Sequence, residues 1–281
     1  MSTSMNSLLQ GLNLNIEIFP KGWDIILSPR FLTYAPYQEL LIETPNYVLK
    51  TAKSTRELIE VFDLRYRCFL EDTSDKTSTN DGLDVDEFDH ICDHMIIECR
   101  KTNKIIGTYR LISSQRSQSF YSQGEFDLNN FLSLPDRKLE LGRACIDPLH
   151  RNGNVIDLLW KGLGTYINKT ETRYLFGCSS IHTTNKRLAW KIFDYMKHME
   201  WVDHSMQVSP IGKFQFDREE SNFDMMEMKS HIPSLLRSYI SAGAQIFAPP
   251  ALDEEFHCVD YLTVLDMQNI SRLYQKRYFQ R

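Results

Sequence analysis

Glu140 and Arg143 stand three apart in the run Leu139-Glu140-Leu141-Gly142-Arg143, and the turn His150-Arg151-Asn152-Gly153-Asn154 follows on the same stretch. An acid held beside a fixed cation can move a proton to or from an amine. A strand that feeds a helix through a glycine turn aims backbone N–H groups at one point, and the helix dipole adds positive potential there. The N–H groups from Gly153 to Ile156, with Arg151 as counter-charge, therefore form a candidate phosphate cradle. Each reading has a plain competitor. On spacing alone Glu140 and Arg143 suit a structural ion pair better, and Asp147-Pro148 with Asn152-Gly153 suits an ordinary strand-breaking turn. Along a regular strand the two side chains point to opposite faces unless a bulge intervenes, and Gly142 is placed to make one.

The segment from Asp81 to His94 is strongly acidic. Its carboxylates suit an ammonium group or, with His90 and His94, a metal. Asp84-Val85-Asp86 lacks the glycine and closing glutamate of a calcium loop. His90 and His94 share a face only on a helix, whereas His94 opens a strand, so a solvated loop or a rim for a substrate amine is favoured over a metal. Cys178-Ser179-Ser180 closes a buried strand, where sites form in open α/β sheets, with His182 just beyond. Neither a nucleophile elbow nor a third partner accompanies them, which argues against a nucleophilic hydrolase. His198 and Asp203 have the spacing of glycerolipid acyltransferases, but no matching phosphate-binding box follows, and the spacing reads as coincidence.

These residues need elements to position them. Tyr47 to Ala52 reads as a strand, and Ser54-Thr55-Arg56-Glu57 as a capping box that opens a helix running to about Leu70. Leu58, Ile59, Phe62, Tyr66 and Phe69 form its apolar stripe. Strands are expected over His94 to Arg100, Ile105 to Ile112, Lys138 to Ile146, Tyr174 to Ser179, Ala244 to Phe247 and Val259 to Leu265. Helices are expected over Gly153 to Lys169, Thr184 to Met199, Pro233 to Ala242 and Met267 to Gln280. An antiparallel meander followed by a crossover strand predicts a mixed α/β sheet. Residues 1–45 read as a proline-punctuated arm, and 46–281 as one domain with a C-terminal extension from about 210.

Composition bounds the answer further. The 281 residues are 42% hydrophobic with a formal net charge of −5, which argues against generic nucleic-acid binding. Six cysteines without CxxC pairing read as reduced thiols of a cytoplasmic protein. No apolar run is long enough to span a membrane. The alternation from Leu8 to Phe19 lacks a basic n-region, so it reads as a segment packed on the body or lying on a bilayer surface, not as a targeting signal.

Taken together, Arg65-Tyr66-Arg67 with Phe69, Asp86-Glu87-Phe88-Asp89, Gly107-Thr108-Tyr109-Arg110-Leu111, Phe126 and Glu140-Leu141-Gly142-Arg143 resemble the acyl-homoserine-lactone synthases. They resemble more closely the ornithine-lipid N-acyltransferases and related N-acyl amino acid synthases. The tail supports the second group with Gly243-Ala244, Pro250-Ala251, Asp253, Phe256 and Asp260-Tyr261-Leu262, as does Leu175 to Ser180. The resemblance covers about residues 46–280. Each motif is short; their order and spacing carry the match.

The resemblance implies a Gcn5-related N-acyltransferase fold, an α/β mixed sheet. It implies a long-chain donor carried as acyl-phosphopantetheine on acyl carrier protein, an amino-acid amine as acceptor, and no metal or permanently bound cofactor. The wider superfamily's phosphate loop is Gln/Arg-x-x-Gly-x-Gly/Ala; here His150 and Val155 fill its first and last positions. That departure weakens coenzyme A and fits the single phosphate of a carrier protein. Glu140 becomes the candidate base, raised by burial, and Arg143 the partner of an acceptor carboxylate or donor phosphate. A strand splayed at Gly142 would offer N–H groups to the thioester oxyanion. Cys145, Arg151, Asn152, Gly153 and Asn154 are donor-side candidates, and Asp86, Asp89, Arg110 and Ser180 acceptor-side ones. Asp86 and Asp89 either organise the acceptor rim or anchor the loop through Arg65 or Arg67. A lactonising signal synthase ranks second, because such synthases are usually shorter and lack the stretch from Gly243 to Leu265; a non-catalytic acyl-binding module ranks third. An acylated product suggests a peripheral contact with the inner membrane, first through the N-terminal arm.

Overall fold

Alternation of side chains decides which face of each strand meets which helix. In the computed structural model, which describes residues 23–26, 28–70, 82–219 and 222–279, the arm carries α1 (Trp23–Ile26), α2 (Pro29–Leu32) and an edge strand β1 (Leu41–Glu43). Then come β2 (Tyr47–Thr51), α3 (Thr55–Leu70), β3 (Asp93–Cys99), β4 (Lys104–Ser113), α4 (Asn129–Leu132) and β5 (Lys138–Ile146). The capping box holds: Glu57 N–H donates to Ser54 Oγ at 3.3 Å and Ser54 N–H donates to the Glu57 carboxylate at 3.1 Å. Strands β1 to β5 form an antiparallel meander. Helix α5 (Gly153–Thr170) then crosses over to place β6 (Tyr174–Ile181) parallel to β5. In β3, Met95 and Ile97 turn toward α5 while Ile96 turns toward α3, the two-residue period that puts a core on each face of the sheet. Each such side chain, fully buried, contributes about 1.5–3 kcal/mol.

The C-terminal stretch is not an appendage. After α6 (Lys186–His198), α7 (Met225–His231) and α8 (Ser234–Ala242) come β7 (Gln245–Ile246), β8 (Ala251–Asp253), β9 (Cys258–Asp266) and α9 (Arg272–Tyr278). Strand β9 pairs antiparallel with the whole of β6, and β7 and β8 pair with β9, so the extension completes the sheet. The arm boundary also moves. Strand β1 pairs with β2, and Ile26 and Phe31 are buried against Leu58 and Phe62 of α3, so Ile26 and at least residues 28–45 belong to the body. The alternation from Leu8 to Phe19 lies outside the described residues. Among the described residues no helix is long and apolar enough to cross a membrane.

A buried ion network ties helix, loop and sheet together. Arg65 of α3, fully buried, donates to Asp84 at 2.7 Å and to both oxygens of Asp89 at 2.7 and 3.2 Å. Arg110 of β4 donates to Asp86 at 2.6 Å and reaches Asp89 at 3.3 Å. Arg143 of β5 closes the ring, 3.2 Å from Asp84 and 3.4 Å from Asp86. Within the described part of the loop, Asp84 and Asp89 are therefore buried and engaged rather than solvated, while Asp86 stays partly exposed. Burial raises the Asp89 carboxyl, but the facing Arg65 and Arg110 outweigh that and hold it far below the usual carboxylate range. Burial likewise pushes His94 down to about 4, so its ring is neutral at ordinary pH.

Asp89→Asn leaves two buried guanidinium groups under-compensated and is expected to cost about 3–5 kcal/mol in urea unfolding. Arg56→Ala, on an exposed pair, should change stability by less than about 0.5 kcal/mol. The folded Asp89 pKa is depressed, so its contribution is complete above the unfolded carboxylate value of about 4 and is lost as pH falls through the folded value. Acid titration of stability should accordingly be flatter in Asp89→Asn than in the parent. A second expectation concerns Gly177, where an added Cβ would overlap the backbone carbonyl oxygen of Leu141. Gly177→Ala should lower stability by about 1–3 kcal/mol in thermal unfolding, whereas Gly124→Ala, with nothing within 4 Å of the new methyl, should not.

Candidate active site

Strands β5 and β6 pair only from Lys138↔Tyr174 to Glu140↔Phe176, although they run on to Ile146 and Ile181. Past that point they part, and a cleft of about 270 Å³ opens between them under α8. Leu141, Ala144, Leu175, Tyr239 and Leu265 make an apolar wall that continues the core beneath α5. Glu140, Arg143, Asp253 and Asp260 bring ionisable groups, and Ser180 a hydroxyl.

A bulge in β5 assembles this site. Opposite β4 the register passes from Thr108↔Cys145 to Arg110↔Gly142, one residue too many on β5. The extra residue is Arg143, with φ +50°, and not Gly142 as the sequence suggested. A side-chain-bearing residue in the left-handed region costs on the order of 1 kcal/mol, and it marks a position held for a reason. The extra residue turns Arg143 to the side of Glu140 and Arg110, where its guanidinium lies 4.8 Å from the ring centres of both Tyr121 and Phe256. It also flips the alternation beyond it. Cys145 consequently faces α3 and neighbours Cys68 on the far side of the sheet, so it does not belong to the donor side of the cleft.

Glu140 is buried and accepts three hydrogen bonds: from Tyr121 N–H at 2.8 Å, Ser122 N–H at 2.7 Å and Ser122 Oγ at 2.5 Å. It therefore anchors the 3₁₀ turn Tyr121–Gly124 rather than forming an ion pair with Arg143. Burial raises its pKa, and the bonds from Ser122 oppose that rise. A carboxylate offers about four lone-pair sites, so one is left for a substrate proton.

The donor-side turn is built differently from a free cradle. Asn152 caps α5, its side-chain oxygen accepting from Asn154 N–H at 3.1 Å and Val155 N–H at 3.2 Å, while its carbonyl takes Val155 and Ile156 N–H. Those amides already have partners that an anion would have to displace. Arg151 donates to the Ile146 carbonyl at 3.1 Å, and Gly153 and Asn154 are exposed. On the acceptor side, Asp86 is partly exposed beside the cleft residues Arg110 and Arg143, whereas Asp89 is buried behind it in the network. Ser180 lines the cleft and donates to Asp260 at 2.6 Å.

Sequence reasoning missed Glu125. It is 2% exposed, its Oε1 has no partner among the described residues, and its Oε2 accepts from Cys178 Sγ at 3.4 Å. Burial, together with nearby Asp260, pushes its pKa up to about 9. Burial also raises Asp260, and it pushes the Cys178 thiol well up, which removes Cys178 as a nucleophile. Tyr121, Ser122 and Tyr239 are likewise marked by no local pattern, while Asp253 stands in the tail motif without a role assigned to it.

The chain is similar to known proteins over much of its length. The family described as an acetyltransferase (GNAT) domain matches residues 64–161, from the second half of α3 to the middle of α5. L-ornithine N(alpha)-acyltransferase of Rhodobacter capsulatus is 27% identical over 255 residues, 84% of this chain and 96% of that protein. The enzyme of the same name from Brucella abortus is 28% identical over 253 residues, 82% and 88% of the two chains. Among solved structures, the acyl-homoserine-lactone synthase LasI superposes with a TM-score of 0.45 at 12% identity, covering 87% of this chain and all of that one. The protein is an acyltransferase with the Gcn5-related N-acyltransferase fold, and over most of its length it resembles the L-ornithine Nα-acyltransferases.

Proposed function

We propose that this protein transfers a long-chain acyl group from the thioester of an acyl carrier protein to the α-amine of an amino acid of the ornithine kind, giving an N-acyl amino acid or lyso-aminolipid. The observation that carries this reading is the cleft between the parting halves of β5 and β6, apolar along one wall and charged along the other. The apolar wall suits the acyl chain and its pantetheine arm. Beyond Leu141, whose carbonyl still abuts Gly177, β5 has no partner in β6, and in this reading its amides serve an extended arm and the thioester oxygen. The relatives named as acting on ornithine support the acceptor class. A carrier-borne donor is favoured over coenzyme A by His150 and Val155 in the turn and by the capping of that turn by Asn152.

The chemistry follows from the residues at hand. The neutral amine attacks the thioester carbonyl carbon, the C–N bond forms, and the charge on oxygen is met by N–H groups of the parted strand. The C–S bond then breaks, the pantetheine sulfur leaves, and the proton shed by nitrogen passes to Glu140, directly or through water. In this reading Arg143, which lies over the rings of Tyr121 and Phe256 and against Asp84 and Asp86, holds the acceptor carboxylate.

Mass spectrometry of reactions containing long-chain acyl carrier protein and a panel of ornithine, lysine, glycine and glutamine tests the reading. An N-acyl product with at least one acceptor is expected, in greater yield than with the matching acyl-coenzyme A; no product with any acceptor sinks it. The base assignment has its own check. The Ser122 hydroxyl bond favours ionised Glu140, so Ser122→Ala should raise that pKa and move the acidic limb of kcat/KM to higher pH by about one unit. An unmoved limb would assign the proton to another group.

A further inference from the structure

Asp253 and Asp260 at the cleft wall, with Glu125 behind them, form a group of acids that the reaction above does not use. Glu125, Asp253 and Asp260 are 2%, 4% and 3% exposed. A carboxylate oxygen of Glu125, Cys178 Sγ and a carboxylate oxygen of Asp260 lie within 4.8 Å of one another, and Asp253, Cys258 and Asp260 form a second such trio. Among the described residues no lysine or arginine forms a hydrogen bond or ion pair with any of the three acids. Arg143, whose field reaches Asp260, is already engaged by Asp84 and Asp86. Glu125 Oε1 is buried and unpartnered. Buried acids without a counter-charge are costly, and natural proteins keep them where a ligand supplies what is missing.

The cation that completes the cluster cannot be the reacting amine, which must be neutral to attack. It cannot be the acceptor carboxylate, which the acids repel. It is a second positive group on the same acceptor. We infer that Glu125, Asp253 and Asp260 form a subsite for the side-chain ammonium of a diamino acid and so select that class over neutral amino acids. This rests on the acyl-transfer reading. Asp253 and Asp260 face the cleft, Ser180 orients Asp260 through its 2.6 Å bond, and Glu125 approaches from behind through Cys178. An ammonium offers three donors to oxygens on more than one side, and a site built to bond an N–H rejects analogues that lack it far more strongly than an apolar pocket rejects a methylene.

The experiment compares ornithine with norvaline, which keeps the α-amine and carboxylate but lacks the terminal amine. In the parent, kcat/KM should favour ornithine by at least about a hundredfold. Asp260→Asn and Glu125→Gln each relieve repulsion among crowded acids, so both variants should fold, which a thermal melt checks. In each, the ornithine-to-norvaline ratio should fall at least about tenfold. Equal losses for both acceptors, or no preference in the parent, would overturn the subsite while leaving acyl transfer intact. Calorimetric titration without donor separates the two ideas. If neither amino acid is acylated yet ornithine binds and norvaline does not, with that difference lost in Asp260→Asn, the subsite stands and the acyl-transfer reading falls. Zinc that binds the parent and is not displaced by excess ornithine would overturn the subsite as well.

Discussion

The buried carboxylate of Asp89 is the contact on which the rest of the site depends. It takes Arg65 from the helix, Arg110 from the sheet and the backbone N–H of Asp86 from its own loop. Three pieces of chain that meet nowhere else in sequence are thereby fixed at one point. In low dielectric each of these charges is tolerable only because the others are present, so the arrangement is all-or-none. Asp86, held by that loop, in turn steadies Arg143 over the cleft. A protein that needed only stability would be served as well by apolar side chains here; what the ions add is direction.

Two acid-rich regions sit within one domain and behave oppositely. Asp84, Asp86 and Asp89 are matched by three arginines, which makes the loop rigid and electrically quiet. Glu125, Asp253 and Asp260 have no such partners among the described residues, and burial pushes Glu125 and Asp260 upward toward their protonated forms. The matched cluster is structural, and the unmatched one is where chemistry has room to enter.

The long elements were legible in the sequence because they are long. The pattern over Lys138–Ile146 and over α5 repeats often enough to be read, and so does the capping box before α3. Strands β1 and β8, of three residues each, show no period at all. The bulge was foreseen and its residue was not: no residue type announces that an arginine will take a positive φ. That one error carries to Cys145, since counting on from Leu139 and Leu141 by twos puts it on the wrong face. The Asn152 turn reads the same whether its amides are capped or free, and only coordinates tell the two apart. Glu125 and Asp260 lie far apart along the chain and meet through the pairing of β6 with β9, information that no local window holds.

The early end of the β5–β6 ladder has one more consequence. A strand with open N–H and C=O groups at the rim of a sheet invites other chains to add to it, and proteins usually blunt such rims. Here the open stretch sits in the middle of a nine-stranded sheet, with neighbours on both sides and α8 across its mouth. A backbone edge in that position is closed to the strands of other proteins, and under the proposed reaction it would serve an extended guest. Aggregation hazard and ligand recognition draw on the same hydrogen bonds, and the fold separates them by placement alone.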